Sequence, residues 1–364
     1  MERAILITVD FGKRWEWTAE ERSAELAELA RSAGVAVVRE EIVRRHEPSP
    51  SCFIGSGKTE EIARLCADEH CKIVIFNNDL SGTQAKNLEE VIKTRVIDRT
   101  QLILDIFARR AHTNEGKVQV ELAQLLYLLP RLTGKGVELS RLGGGIGTRG
   151  PGEQKLEIDR RRIRTRILRL ERELEDLHKR REMMRKRRQR FSMPSVAIVG
   201  YTNAGKSTLL NSLTGSDVVV RDKLFATLDP TVRKFRTPSG KTILFVDTVG
   251  FLNDLPHHLI EAFKATLEEV TEADLILHII DASHPKAIEQ STAVYRVLEE
   301  IGAASKPLLY VLNKVDKIAG SADTVKRLKG YFGNASAISA LKKEGLDELI
   351  GAIESCLDRP TRST

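Results

Sequence analysis

One stretch of the sequence combines the residue types and the spacing of a phosphate-binding loop. Residues 200–207 read glycine, four further residues, then Gly-Lys-Ser, a pattern in which backbone N–H groups and a helix N-terminus surround an anion. Lys206 would contact the outer phosphates of a nucleotide, and the Ser207 hydroxyl would bind Mg²⁺. The alternative is a chance glycine turn. The residues that we expect to surround the phosphates are Gly200, Tyr201, Thr202, Asn203, Ala204, Gly205, Lys206 and Ser207.

A second segment follows an apolar run that predicts a buried strand. Its residues are Asp247, Thr248, Val249 and Gly250. The Asp247 carboxylate would associate with Mg²⁺ through a water molecule. Gly250 would offer its N–H to the γ-phosphate, because a residue without a side chain permits so close an approach.

Two later segments predict the identity of the base. Their residues are Asn313, Lys314, Val315, Asp316, Ser339, Ala340 and Leu341. The Asp316 carboxylate can accept hydrogen bonds from the N1–H and N2–H₂ groups of guanine, whereas adenine offers no such pair and would leave the carboxylate unpaired. The Ala340 N–H would bind guanine O6. The alternative is a surface turn, but four motifs in this order favour GTP.

Residues 225–231 predict a mobile loop that orders only when the γ-phosphate is present. Two threonines compete for the Mg²⁺ ion there, and we favour Thr227 over Thr231. The nucleotide contacts expected in this loop are Phe225, Ala226, Thr227, Leu228 and Asp229. We assign catalytic roles to Lys206, Thr227 and Gly250.

Phe251 follows the second segment directly. Many GTPases carry a glutamine at this place, which orients the attacking water. Because phenylalanine cannot hydrogen-bond that water, we expect slow intrinsic hydrolysis that depends on a partner or on another group.

Alternation of apolar strand-like runs with helical runs surrounds these motifs. It predicts an α/β fold in which a small, mostly parallel N-terminal α/β domain precedes a P-loop GTPase domain. The expected domains are 1–112, a helical hairpin with a Gly-rich loop over 113–192, and the GTPase domain over 193–364. The hairpin is expected to be antiparallel, with one helix from Val118 to Leu129 and a longer one from Glu153 to beyond Arg185.

The longer helix carries apolar residues at heptad spacing, which predicts packing along one seam. These residues are Leu156, Ile163, Ile167, Leu170, Leu174, Leu177 and Met184. Between Lys155 and Arg190 there are 16 Lys and Arg residues against 7 Asp and Glu residues, a net charge of +9, whereas the whole chain carries +7. A charge so concentrated favours a polyanionic partner, although a solvated coiled-coil face is the alternative. The candidate RNA contacts are Arg141, Arg149, Lys155, Arg160, Arg161 and Arg162.

Residues 55–59 resemble the end of a second phosphate-binding loop. The pattern requires a glycine five residues before Gly57, but that position is Cys52. A turn that opens a helix is the better interpretation, and nucleotide binding here is the weaker alternative.

Composition excludes several classes of protein. The chain has 364 residues, 41% of them hydrophobic, and contains no apolar run near the ~18 residues that a membrane helix needs. Its N-terminus lacks the pattern of a signal peptide, and its four cysteines fit neither a disulfide framework nor a zinc site. We therefore expect a cytoplasmic protein without a membrane span, and a monomer.

Four segments outside the nucleotide motifs give the sequence a specific resemblance. They are residues 53–62, 96–107, 119–125 and 140–153, and together with the motifs above they resemble the HflX-type GTPases. The resemblance implies a GTPase that associates with the large ribosomal subunit and its RNA and helps to separate or rescue stalled ribosomes. It implies Mg²⁺ ligands at Ser207 and Thr227, and it implies that Asn203 helps to hold a monovalent cation, K⁺, beside the phosphates.

Two departures from the family pattern are visible. Gln154 stands where the Gly-rich segment of the family is expected to have threonine, and the chain ends soon after the last GTPase helix, whereas some members carry a further C-terminal domain.

Two other functions remain open. One is a GTPase that acts on another RNA, such as tRNA or a ribosome precursor. The other is a regulatory, GTP-dependent binding module with slow turnover, which Phe251 would permit.

Overall fold

The computed structural model describes most of the chain and divides it into two compact units. The described residues are 1–12, 17–132, 151–189, 193–215, 224–225, 228–256, 259, 263–318, 322–333 and 335–358. Unit 1 comprises Met1–Arg109 with Lys117–Leu174, and unit 2 comprises Arg110–Gly116 with Glu175–Thr364. Among the described residues, no helix has both the length and the apolar character needed to span a bilayer.

Unit 1 contains a four-stranded parallel sheet in the order β2-β1-β3-β4. Its strands are β1 (Arg3–Asp10), β2 (Ala36–Arg44), β3 (Ile73–Phe76) and β4 (Arg95–Asp98). The central strands β1 and β3 are buried along nearly their whole length, as expected for parallel strands covered on both faces. The predicted N-terminal α/β fold is confirmed.

Four helices accompany this sheet. They are α1 (Ala19–Ser32), α2 (Ser56–Asp68), α3 (Gly82–Ile92) and α4 (Arg99–Arg110). Thr18 and Ser81 start α1 and α3 with capping boxes. In each, the capping side chain accepts the backbone N–H of the third helical residue, and the side chain of that residue accepts the backbone N–H of the capping residue. The apolar faces of α2 and α3 share a buried cluster with the sheet, in which Ile62 and Leu88 are fully buried.

Two antiparallel helices form the predicted hairpin, α5 (Asn114–Leu128) and α6 (Pro151–Gln189). In unit 1, Val118 and Leu122 of α5 share a buried cluster with the predicted seam residues of α6. The seam residues in contact with that cluster are Ile163, Ile167, Leu170 and Leu174. The side chains of Leu156 and Met184 lie outside the described part of the structure.

A buried carboxylate connects α5 to the sheet of unit 1. Asp98, the last residue of β4, accepts hydrogen bonds from the Tyr127 hydroxyl (2.8 Å) and from Arg131 Nη2 (3.0 Å). Arg131 lies in the 3₁₀ turn Leu129–Leu132 that ends α5, and its guanidinium stacks on the Tyr127 ring. Burial raises the pKa of Asp98, against the hydrogen bonds and the guanidinium that favour its ionised form.

Unit 2 contains a six-stranded sheet in the order β10-β9-β8-β5-β7-β6, parallel except for the edge strand β6, which runs antiparallel to β7. Its strands are β5 (Ser195–Gly200), β6 (Thr231–Arg236), β7 (Thr242–Asp247), β8 (Leu275–Asp281), β9 (Leu308–Asn313) and β10 (Ser336–Ala337). The helices among its described residues, apart from the α5 and α6 segments, are α7 (Lys206–Thr214), α8 (Lys264–Thr271), α9 (Ala287–Glu300), α10 (Ala322–Phe332) and α11 (Leu346–Leu357). The motif residues Asp247 and Asn313 end parallel strands of the same sheet, so both lie at the edge formed by the carboxyl ends of these strands.

Candidate functional site

The phosphate-binding loop connects β5 to α7 and requires glycine at both of its ends. Gly200 has φ +155°, and a Cβ there would lie 2.3 Å from the carbonyl oxygen of Ile279. Gly205 has φ +97°, and a Cβ there would lie 2.2 Å from Asn313 Nδ2. Between them Asn203 adopts φ +62° with its side chain exposed. The loop therefore closes tightly against β8 and β9 and leads its backbone N–H groups into the start of α7.

Lys206 lies inside this loop. Its ammonium donates to the carbonyl oxygens of Gly200 (3.1 Å) and Tyr201 (2.9 Å), and the residue is only 7% exposed. Burial lowers the pKa of Lys206 to about 8; Asp247 opposes this shift and Lys314 adds to it. An incompletely solvated ammonium at the centre of the loop is placed to bind phosphate oxygens.

Ser207 and Asp247 form an oxygen pair beside the loop. Ser207 Oγ donates to Asp247 Oδ2 at 2.7 Å, and Asp247 is fully buried at the end of β7. A hydroxyl and a carboxylate are hard oxygen ligands of the type that Mg²⁺ selects, with water and phosphate oxygens completing its shell. The residues present therefore fit the ion that the GTPase pattern implies.

The second motif lies directly against the phosphate-binding loop. Its Thr248 hydroxyl donates to the carbonyl of Ile198 (2.7 Å). A Cβ on Gly250 would lie 2.8 Å from Thr202 Cγ2 and 3.0 Å from Lys206 Nζ, so only glycine fits without displacing these groups.

Phe251 continues that contact through its backbone. Its N–H donates to the Gly200 carbonyl (3.1 Å), and its own carbonyl accepts from Thr202 N–H (2.8 Å). The Phe251 ring is 1% exposed. The position that carries a water-orienting glutamine in many GTPases is thus occupied by a core side chain in this structure.

Asn313 joins the phosphate-binding loop to the predicted base-binding segment. Its Nδ2 donates to the Ala204 carbonyl (2.9 Å), and its Oδ1 accepts the N–H of Ala340 (3.0 Å). Both bonds are buried, and Asn313 itself is the last residue of β9. The amide therefore fixes the distance between the phosphate end and the base end of the site.

The remaining base-binding residues cluster around Asp316. Ser339 Oγ donates to Asp316 Oδ1 (2.6 Å), and Val315 N–H donates to the Ile338 carbonyl (3.3 Å). Ala340 is buried, whereas Leu341 is 75% exposed. The Asp316 carboxylate and the nearby loop thus lie together, as guanine recognition requires.

Asp281 contacts the predicted base-binding segment, and the sequence interpretation did not include it. Its Oδ2 lies 2.7 Å from Lys314 Nζ, and its Oδ1 accepts both the N–H and the hydroxyl of Ser283. The carboxylate therefore holds the side chain of Lys314 in place. Its position at the end of β8, between the strands that end at Asp247 and Asn313, was the available signal.

The predicted γ-phosphate loop is described only in part. Ala226 and Thr227 lie outside the described residues, so the choice between Thr227 and Thr231 stays a prediction. Thr231 begins β6 and pairs with Asp247 across the antiparallel register. Phe225 and Leu228 are buried.

Asp229, predicted as a nucleotide contact, places its carboxylate against residues 112–113. Its Oδ2 accepts the N–H groups of His112 (2.9 Å) and Thr113 (3.0 Å). The structure thus assigns this side chain a set of partners that no nucleotide motif predicted.

The candidate RNA contacts are described unevenly. Arg141 and Arg149 lie outside the described residues, as does the side chain of Lys155. On α6, Arg160 is half-buried and Arg161 and Arg162 are exposed.

The alternative phosphate loop at residues 55–59 is a helix start. Gly55 precedes α2 with φ +84°, and Thr59 Oγ1 donates to its carbonyl (2.7 Å). Lys58 Nζ lies 2.6 Å from Glu61 and 3.3 Å from Glu41. Because two carboxylates already surround this ammonium, the geometry favours the turn over a second nucleotide site.

Three protein-family models match successive parts of the chain. The family described as GTP-binding GTPase N-terminal matches residues 20–108, and the one described as GTP-binding GTPase Middle Region matches residues 110–188. The third, described as 50S ribosome-binding GTPase, matches residues 195–314. The matches cover both units and include the phosphate-binding loop.

Individual proteins are similar over nearly the whole chain. GTPase HflX of Caldanaerobacter subterraneus subsp. tengcongensis is 51% identical over 99% of this chain and 82% of its own length, and GTPase HflX of Escherichia coli (strain K12) is 45% identical over 97% and 82%. A solved structure of a GTP-binding protein from Sulfolobus solfataricus in complex with GDP is 28% identical, with a TM-score of 0.51 over 98% of this chain and 99% of that chain.

Proposed function

This chain belongs to the HflX family of GTPases, and we propose that it uses GTP binding and hydrolysis to control its association with the large ribosomal subunit. Hydrolysis of GTP follows from the family and from its P-loop GTPase domain. We propose further that the chain acts in ribosome splitting, rescue or assembly, and therefore in the cytoplasm. This proposal is supported by the 50S ribosome-binding family that matches residues 195–314.

The observation that carries the proposal is the convergence of four motifs at one sheet edge. Asn313 hydrogen-bonds the phosphate-binding loop and the Ala340 N–H, and Ser207 hydrogen-bonds Asp247. In the proposed complex, Lys206 binds the outer phosphates, Asp316 binds guanine, and Ser207 with Thr227 holds Mg²⁺. The bound Mg²⁺ would neutralise charge that develops on the phosphate oxygens.

Slow intrinsic hydrolysis follows from the core position of Phe251. A buried ring that cannot hydrogen-bond water leaves the attacking water to be oriented by another group. We propose that the ribosomal partner supplies or positions that group. K⁺ beside the exposed Asn203 would add positive charge near the phosphates and would also accelerate hydrolysis.

The partner surface is proposed on the helical hairpin. The segment from Lys155 to Arg190 carries a net charge of +9, and Arg161 and Arg162 are exposed on α6. With Arg141, Arg149 and Lys155 at the Gly-rich segment, these cations would contact the phosphates of ribosomal RNA.

Co-sedimentation tests this function directly. The chain is incubated with purified large or small ribosomal subunits in the presence of GDP or a non-hydrolysable GTP analogue, and subunits are then pelleted. We expect binding to large subunits that is strongest with the analogue. Equal binding to both subunits, or binding that ignores the nucleotide, would contradict the proposal and favour another RNA partner.

A further inference from the structure

The side-chain hydroxyl of Thr202, in the phosphate-binding loop, is buried and finds no hydrogen-bond partner among the described residues. Thr202 is 6% exposed. Two other hydroxyls beside the loop are paired, since Ser207 Oγ donates to Asp247 and Thr248 Oγ1 donates to a backbone carbonyl. A buried polar group without a partner is uncommon in a folded protein, and a functional role is one of the reasons for retaining it.

The Thr202 side chain packs against Gly250, the residue whose N–H is expected to bind the γ-phosphate. A Cβ added to Gly250 would lie 2.8 Å from Thr202 Cγ2, 3.0 Å from Thr202 Cα and 3.0 Å from Lys206 Nζ. Thr202 and the ammonium that would bind the outer phosphates thus meet at one point. A γ-phosphate held between Gly250 and Lys206 would therefore lie next to the side chain of Thr202.

Backbone pairing fixes Thr202 in this place. Its N–H donates to the Phe251 carbonyl (2.8 Å), and Tyr201 and Phe251 form a parallel bridge. The Tyr201 hydroxyl accepts the N–H of Asn253 (2.8 Å) in a buried bond. These contacts hold Thr202 beside Phe251, the residue that stands where many GTPases carry a water-orienting glutamine.

Hydrolysis of GTP requires a group that orients the attacking water. A threonine hydroxyl has one O–H donor and two acceptor lone pairs, so it can accept a hydrogen from that water and donate its own to a γ-phosphate oxygen. The Phe251 ring can do neither. The Lys206 ammonium and the Gly250 N–H are donors only, so Thr202 adds the acceptor that these groups lack.

We propose that Thr202 is a catalytic residue whose hydroxyl orients the attacking water in place of a glutamine. The water oxygen bonds to the γ-phosphorus as the bond from phosphorus to the β–γ bridging oxygen breaks, and the electron pair of that bond stays on GDP. The water protons pass to the released phosphate and to solvent, while the hydroxyl keeps its own proton. The ribosomal partner of the proposed function would then position this hydroxyl.

The inference rests on the GTP site of the proposed function but not on the ribosomal partner, so it is tested without ribosomes. Thr202→Val removes the hydroxyl and keeps the shape of the side chain, whereas Thr202→Ser keeps the hydroxyl and removes the methyl group. Single-turnover hydrolysis of GTP is measured with the protein in excess and with Mg²⁺ and K⁺ present. We expect the rate to fall about 100-fold in Thr202→Val, as for loss of one group that acts in a transition state, and to stay near the wild-type rate in Thr202→Ser.

Binding measurements separate catalysis from nucleotide affinity. Fluorescence titration gives the affinities for GDP, for a non-hydrolysable GTP analogue and for GDP with aluminium fluoride, which mimics the transferring phosphoryl group. A group that orients the water contributes in the transition state and not in the ground state. Thr202→Val should therefore bind GDP and the analogue like the wild type, and GDP with aluminium fluoride about tenfold more weakly or worse.

Thr292→Val is the matched control, because it makes the same substitution at a half-buried position of α9 outside the nucleotide motifs. It should hydrolyse GTP at the wild-type rate. A wild-type rate in Thr202→Val, or a greater loss in Thr202→Ser than in Thr202→Val, would show that the side chain only packs the loop. A loss of analogue affinity as large as the loss of rate would make the hydroxyl a ground-state contact, and either result would overturn the proposal. Failure of the wild type to bind guanine nucleotides would instead overturn the GTP site, and the role of Thr202 with it.

Discussion

Ser207 Oγ donates a hydrogen bond to Asp247 Oδ2 over 2.7 Å. Ser207 is the second residue of α7, and Asp247 is the last residue of β7. The bond between them brings a hydroxyl and a buried carboxylate together beside the phosphate-binding loop. Parallel pairing of β5 with β7, in which Ile198 lies opposite Asp247, sets this position. The pair is the most direct structural support for a metal-assisted nucleotide site.

Ser207→Ala removes the hydroxyl of this pair and should uncouple GTP affinity from Mg²⁺. In the wild type, we expect Mg²⁺ to strengthen GTP binding relative to a sample with EDTA. In Ser207→Ala most of that gain should disappear, since one oxygen ligand is lost. Fluorescence titration with a labelled GTP measures both. Ser355→Ala, an exposed position on α11, is the control; a full Mg²⁺ effect in Ser207→Ala would count against the assignment.

Lys206→Ala should abolish turnover with the fold intact. The ammonium is the cation nearest the phosphates in the proposed complex, and loss of one such group costs about 100-fold or more in rate. Phosphate release measures the rate, and circular dichroism checks the fold. Lys326→Ala, exposed on α10, should hydrolyse GTP normally, and normal hydrolysis by Lys206→Ala would refute this role.

Asp316→Ala should lose guanine affinity by about 100-fold or more, because two charge-assisted hydrogen bonds disappear. Titration calorimetry with GTP and ATP measures the change, and the preference for GTP over ATP should fall with it. Asp347→Ala is the control, because it removes the same charge from an exposed residue in the first turn of α11. Equal GTP affinity in the wild type and in Asp316→Ala would show that another group selects the base.

Replacement of Arg141, Arg149 and Lys155 by glutamate should weaken binding to large subunits and flatten its dependence on salt, because fewer phosphates are neutralised. GTP affinity should stay near the wild-type value, since these residues lie outside the nucleotide motifs. Co-sedimentation over a salt series makes the comparison. A triple variant that binds like the wild type at every salt concentration would make the Gly-rich segment structural.

The core of the fold and the nucleotide motifs were predictable because their signals are local. Strands β1, β5 and β8 are short apolar runs buried on both faces, and the motif residues follow such runs directly. The heptad spacing of α6 likewise located the seam that contains Ile167 and Leu170.

Edge strands were not predictable in the same way. Strand β6 reads Thr-Val-Arg-Lys-Phe-Arg and is largely exposed, so its sequence lacks an apolar run. The edge strand β2 likewise has Arg39, Glu40 and Glu41 at its centre, so it is not a continuous apolar run. These segments are strands because their backbones pair with one neighbouring strand, and amino-acid composition does not predict such pairing.

Contacts between segments that are distant in the sequence could not be predicted from it either. Asp229 and Thr113 meet although they lie 116 residues apart, and Asp281 holds Lys314 from a different strand. Each contact depends on one acidic residue, and because most acidic residues in a sequence are exposed to solvent, the sequence alone does not single out these two.

The central claim is that a partner on the large ribosomal subunit completes a GTPase site that is slow on its own. Phosphate release is measured for the wild type alone, with large subunits and with small subunits, and Lys206→Ala with large subunits reports any contaminating GTPase. The account predicts slow turnover alone and strong stimulation by large subunits that small subunits and Lys206→Ala do not reproduce. A wild-type rate that large subunits leave unchanged would contradict it.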